Sequence, residues 1–157
     1  MHRLADDGAV RRIDTSKLKP RKFDKFKATK LPSLLNKLAW GSALILKGPK
    51  GAGKTMNLEQ WAVEYDVPFM RKSCTGDTSD RHLVGGFVMR SLDDAFFLLG
   101  VLSAAIDVAN EVGRCVLVLE EINALSAEAQ KVINSIADYR QEVDVAHVGE
   151  VFRLNDK

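Results

Sequence analysis

The stretch GPKGAGKT, Gly48 to Thr55, constrains this chain more than any other. It has the form Gly-x-x-x-x-Gly-Lys-Thr. Its first glycine closes the short, almost wholly apolar run ALILKG (Ala43 to Gly48), which suits a buried parallel strand, and the motif opens a segment with Leu58, Trp61, Ala62 and Tyr65 at helical spacing. Buried strand, glycine loop, helix is the context in which this pattern binds phosphate. Glycines adopt backbone conformations closed to other residues and so bring N–H groups onto an anion. The helix start adds its positive dipole end. Gly48, Pro49, Lys50, Gly51, Ala52 and Gly53 are therefore read as a phosphate loop, with Lys54, Thr55 and Met56 carrying it into the helix. Lys54 is placed to reach the β- and γ-phosphates, and the Thr55 hydroxyl to ligate Mg²⁺.

A phosphate loop of this kind works with an acidic element on a neighbouring strand. The stretch CVLVLEE, Cys115 to Glu121, supplies one: an apolar run that ends in two glutamates. Glu120, at the strand tip, is read as the residue of the metal shell, acting through a water. Glu121 is read as the group that polarises the attacking water. Magnesium prefers oxygen ligands and keeps several of its waters, which suits a single carboxylate beside a hydroxyl.

The remaining pattern is α/β. Leu31, Leu34, Leu35 and Leu38 have helical spacing up to Gly41, and VPFMRKS reads as a second strand. Residues 75–90 read as loop. Asp93 to Glu111 reads as one long helix, apolar nearly all round and so buried on more than one side, against the sheet or a neighbouring subunit. Ser126 is a candidate N-cap for a helix that buries Ala129, Val132, Ile133 and Ile136. Residues 141–153 alternate loosely and read as a hairpin around Gly149. Alternating strands and helices predict a parallel α/β sheet.

Composition excludes several classes. In 157 residues, 46% are hydrophobic and 28% charged, as in an ordinary globular domain, and the net charge is +2. The basic excess sits between Arg11 and Lys30, so residues 1–30 are expected to form a separate, mobile segment, with nucleic-acid contact through 11–30 as one possible use. Cys74 and Cys115 lie far apart, in predicted strand contexts, and His2, His82 and His147 are scattered. Neither a disulfide framework nor a zinc site follows. The sequence has neither an apolar run of membrane-spanning length nor a signal-peptide core, so a cytoplasmic location without membrane contact is expected.

These motifs together resemble the AAA+ ATPases, and within them the MoxR-like and dynein/midasin-related group. LVLEEIN followed by ALSAEAQKVINSIAD is similar to the group's Walker B element, usually Asp-Glu-Ile-Asn, and its following helix. SCTGDTSDRHLVGGF is similar to the stretch that ends in Asp-Leu-x-Gly, and FFLLGVLSAAIDVANEVGRCV to the Phe-x-x-Gly-x-Leu-x-x-Ala helix. The resemblance covers about Leu31 to Leu154. Glu120 departs from the usual aspartate. The resemblance implies a P-loop NTPase fold, a three-layer parallel sheet with flanking helices, here incomplete. It implies ATP and Mg²⁺ as ligands, hydrolysis that remodels a partner protein, and a hexameric ring in a full-length parent. It implies that 141–153 projects toward the ring pore.

Residues 31–157 are then a partial AAA+ core. The sensor 1 strand, arginine finger and lid find no counterpart before Lys157, so the chain is expected to be part of a longer ATPase. In the family's sheet order the fourth strand separates the Walker A and Walker B strands, and without it two inner edges are left unpaired. Two other readings are a nucleic-acid-directed P-loop ATPase and a nucleotide-binding fragment without turnover. Asn123 has no assigned role.

Overall fold

The computed structural model describes residues 18–20, 31–39, 41–91, 94–145 and 149–155. The basic segment 1–30 therefore lies outside the described residues, except for 18–20. Among the described residues the order is α1 (Leu31–Leu35), α2 (Lys54–Glu64), β1 (Phe69–Ser73), α3 (Asp80–Leu83), β2 (Gly85–Ser91) and β3 (Asp94–Leu99). There follow α4 (Val101–Val112), β4 (Val116–Glu120), a 3-10 turn (Ile122–Ala124), α5 (Ala127–Ala137), β5 (Glu142–Val145) and β6 (Glu150–Arg153).

The pair that positions the site is β1 with β4, parallel, in the register Phe69 opposite Val116 through Ser73 opposite Glu120. Side chains alternate between the two faces of a strand. Met70, Leu117 and Leu119 pack on the larger core, built around Leu83, Phe97, Leu102, Ile106, Val108, Val143 and Val145. Phe69 and Val116 pack on the smaller one, made by Trp61, Ala62 and Val67. The helix that follows the glycine loop thus covers the same face of the pair that carries Arg71, Ser73 and Glu120. It is pinned from outside by Asn36, which accepts from Trp61 Nε1 at 2.7 Å and donates to the Tyr65 hydroxyl at 2.6 Å.

In four places the described residues differ from the sequence expectations. Ala43 to Gly48 is not a strand. It runs without a ladder partner among the described residues, and Leu44 and Ile45 are exposed. The local sequence suits a strand, but a ladder needs a neighbour, and among the described residues β1 and β4 pair only with each other. The single three-layer parallel sheet is likewise not what the described residues form. They make three two-stranded sheets, of which only β1–β4 is parallel.

The long helix expected from Asp93 is a strand followed by a helix. Phe97 and Leu99 are buried while Phe96 and Leu98 are half-buried, a period of two. The strand pairs antiparallel with β2, Phe97 opposite Phe87, and their rings meet edge to face at 5.3 Å. Gly100 makes the break, donating from its N–H to Val84 O at 2.9 Å. A Cβ there would lie 2.3 Å from the Leu83 carbonyl carbon and oxygen. An all-apolar run cannot by itself distinguish strand from helix. Nor is 75–90 plain loop: it holds α3, closed by reciprocal Ser79 and His82 contacts, and the strand that pairs with 94–99.

Other expectations hold. The Ser126 side chain accepts from Ala129 N at 3.2 Å and caps α5. Residues 142–153 form an antiparallel hairpin with Gly149 at φ 68°, though 146–148 lie outside the described residues. Asn110 ties its exit to α4, donating to Arg153 O at 2.8 Å and accepting from Asn155 N at 2.9 Å. Cys74 and Cys115 are free thiols that flank β1 and β4 rather than lie inside them.

Candidate functional site

The glycine loop enters α2 through Gly53, at φ 73° in the left-handed region that favours glycine. The Gly53 carbonyl accepts from Asn57 twice, from its backbone N–H at 2.9 Å and its side-chain amide at 2.8 Å. Asn57 is only 4% exposed. A buried amide must be satisfied, so Asn57 locks the junction from which Lys54 and Thr55 project. The Lys54 ammonium folds over the loop and donates to the carbonyls of Gly48 at 3.0 Å and Pro49 at 2.8 Å. Lys50 is exposed on the loop, and Met56 is half-buried in the first turn of α2.

Thr55 and Glu120 meet across 65 residues of sequence. The Thr55 hydroxyl donates to Glu120 Oε1 at 2.6 Å, a short, charge-assisted hydrogen bond. Glu120 Oε2 accepts from the Ser73 hydroxyl at 3.1 Å, with Arg71 Nε at 3.9 Å. The Thr55 bond does most to hold the Glu120 carboxyl below its ordinary value. Partial burial pushes the other way, and Ser73 and Arg71 add smaller lowering contributions. Glu120 is thus held as an anion.

Glu121 follows at once, exposed, at φ 54° in the left-handed region. A non-glycine residue held there costs on the order of 1–2 kcal/mol. Its carbonyl accepts from Ala124 N at 2.8 Å and so starts the 3-10 turn. Asn123 is exposed and lines an open groove with Ile122, Gln130, Ile133 and Asn134.

The structure therefore brings Lys54, Thr55 and Glu120 into one region and sets Glu121 beside them in the chain. Sequence reasoning missed Asn57, Ser73 and Arg71. Asn57 carried a signal, a lone amide on the helix face that also holds Leu58 and Trp61. Ser73 and Arg71 carried none until the β1–β4 register was known.

The donors around Thr55 are hydroxyl and carboxylate oxygens, the set magnesium prefers. Among the described residues no group of three or more His, Cys, Asp or Glu could hold a metal ion alone. A magnesium ion here would share its shell with phosphate oxygens and water, as a nucleotide-borne ion does.

Residues 43–156 match the AAA domain (dynein-related subfamily), and the chain belongs to that family. It is an AAA+ module with the P-loop NTPase type of α/β fold, a class that binds nucleotide, usually with Mg²⁺. Curated relatives include an uncharacterized protein of Staphylococcus aureus strain bovine RF122 / ET3-1, 28% identical over 110 residues that cover 70% of this chain and 41% of the relative. Another, from Staphylococcus aureus strain USA300, is 27% identical over the same length and coverage. The chain thus spans about two fifths of the length of these relatives. Among the described residues no helix is long and apolar enough to cross a membrane.

Proposed function

We propose that this chain binds Mg·ATP between the Gly48–Thr55 loop and Glu120, and that it contributes this site to a MoxR-like ATPase that remodels a partner protein. The 2.6 Å hydrogen bond from Thr55 to Glu120 carries the reading. It joins the two motifs that a magnesium-nucleotide site requires side by side. Bound Mg²⁺ would supply neutralisation of phosphate charge. Lys54 releases the loop carbonyls and binds the β- and γ-phosphates. Backbone N–H groups of Gly51 to Thr55 cradle the phosphates, favoured by the helix dipole. The Thr55 hydroxyl, and Glu120 through a water, would hold that ion. Glu121 orients the attacking water and accepts its proton.

In this reading residues 31–157 form the nucleotide-binding core and 1–30 a separate basic segment. The assembled ATPase is a cytoplasmic hexameric ring. The 141–153 hairpin contacts its protein client.

Equilibrium binding of Mg·ATP to the 157-residue chain, beside Lys54→Ala, tests the site. Loss of affinity by about tenfold or more in the variant is expected, since one charge-assisted phosphate contact is worth roughly 1.5–3 kcal/mol. Equal affinity of the two chains overturns the reading. Turnover that falls about a hundredfold in Glu121→Gln, with binding kept, would assign the base. Binding without turnover in the parent chain leaves a nucleotide-binding module and removes the hydrolytic step.

A further inference from the structure

The metal-shell carboxylate here is a glutamate, where the aspartate usual in this family has one fewer rotatable bond. A longer side chain at a strand tip needs something to fix its direction. The structure shows what fixes it. Ser73 stands directly opposite Glu120 in the parallel β1–β4 register, so both side chains leave the pair on one face. The two carboxylate oxygens divide their partners: Oε1 accepts from Thr55 at 2.6 Å and Oε2 from Ser73 at 3.1 Å. Arg71, two residues earlier on the same face, lies 3.9 Å from Oε2. Without the serine hydroxyl, the strongest remaining attraction on that oxygen is the guanidinium, which would draw the carboxylate back along the strand and off Thr55.

We propose that Ser73 is a positioning residue for the magnesium-nucleotide site: its hydroxyl holds the second oxygen of Glu120 so that the first stays on Thr55. This rests on the reading of the site given under Proposed function. Groups that orient a metal ligand typically change metal affinity ten- to a hundredfold when removed. Ser73 is solvent-exposed, so the low end applies.

The test is ATP affinity measured with EDTA and with Mg²⁺, in the wild-type chain, Ser73→Ala, Ser73→Thr and Glu120→Ala, and in the double variant Ser73→Ala/Glu120→Ala. The Mg²⁺-free affinity reports the folded phosphate loop. It is expected to be unchanged by Ser73→Ala, because the Ser73 hydroxyl bonds Glu120 rather than the loop itself. The gain in affinity on adding Mg²⁺ is expected to shrink about tenfold in Ser73→Ala and to return in Ser73→Thr, which keeps the hydroxyl. In the Glu120→Ala background, Ser73→Ala should do nothing more, since it acts through the carboxylate. A Ser73→Ala chain that keeps the full Mg²⁺ gain overturns this inference and leaves the site intact. A wild-type chain whose ATP affinity is indifferent to Mg²⁺ overturns the magnesium site itself, and the role of Ser73 with it.

Discussion

The Glu120 carboxylate divides its two oxygens between Thr55 and Ser73, and buried Asn57 fixes the start of α2. Contributions of this kind come from register and burial, which a sequence motif does not record. The two cysteines are a second case: their reactivity is set by surroundings the sequence does not display. Burial pushes the Cys115 thiol from the ordinary 9.0 up to about 12, and it raises Cys74 as well, with Lys72 opposing. The thiolate is the reactive species. At pH 8 a shift of that size cuts its population about a thousandfold. A thiolate of higher pKa is a better nucleophile, which offsets part of that loss, so Cys115 is expected to alkylate with iodoacetamide about fiftyfold more slowly in the native chain than in urea at pH 8, followed by peptide mass spectrometry. The native rate should still be rising with pH at pH 10, above the ordinary thiol value, because the folded thiol keeps its proton until near 12. Native and unfolded rates within threefold of each other would show that Cys115 is not shielded.

Among the elements, α2, β1, β4, α5 and the 142–153 hairpin follow from periodicity and capping, and the structure places them close to where those signals fall. Residues 94–112 did not follow. Phe96 to Val101 is apolar at every position except Gly100, so neither a period of two nor one of 3.6 stands out. The decision is made by tertiary contact: β3 pairs with β2, and Gly100 packs on the backbone where α3 gives way to β2. Gly100→Ala tests this directly. Its φ of −73° is open to any residue, so backbone strain is not the issue; space is. The added Cβ would lie 2.3 Å from the Leu83 carbonyl, and backbone cannot rotate out of the way as a side chain can. A loss of stability of about 2–3 kcal/mol is expected in urea unfolding, the upper part of the range for overpacking. A long continuous helix through position 100 would instead be stabilised by roughly 1 kcal/mol on replacing glycine with alanine. The sign of the change therefore separates the two folds.

At the scale of the molecule, the family match begins at residue 43, where the described structure has its largest disagreement with local sequence. Ala43 to Leu46 is apolar enough for a buried strand, yet Ile45 is 79% exposed and Leu44 lies beside it in the open. The sequence shows an apolar run but not whether any strand pairs with it, because pairing is a property of the assembled sheet. The β1–β4 pair is short and parallel, and among the described residues it has no third strand: at the outer edge of β1 the Phe69 N–H donates to Leu18 O at 3.3 Å rather than to a ladder. An exposed apolar segment and a two-stranded parallel pair on one chain favour association with another chain. The 157-residue chain is accordingly expected to self-associate with rising concentration in light scattering. Ile45→Lys should shift it toward monomer, since a charge at an exposed edge position opposes strand addition. The same substitution should leave thermal stability within about 0.5 kcal/mol, as for other exposed sites. If Ile45→Lys instead unfolds the monomer, position 45 is buried in solution and 43–48 is a paired strand after all. If the wild-type chain stays monomeric at every concentration, the exposed run has found an intramolecular cover, and the glycine loop would be held on both sides rather than by α2 alone.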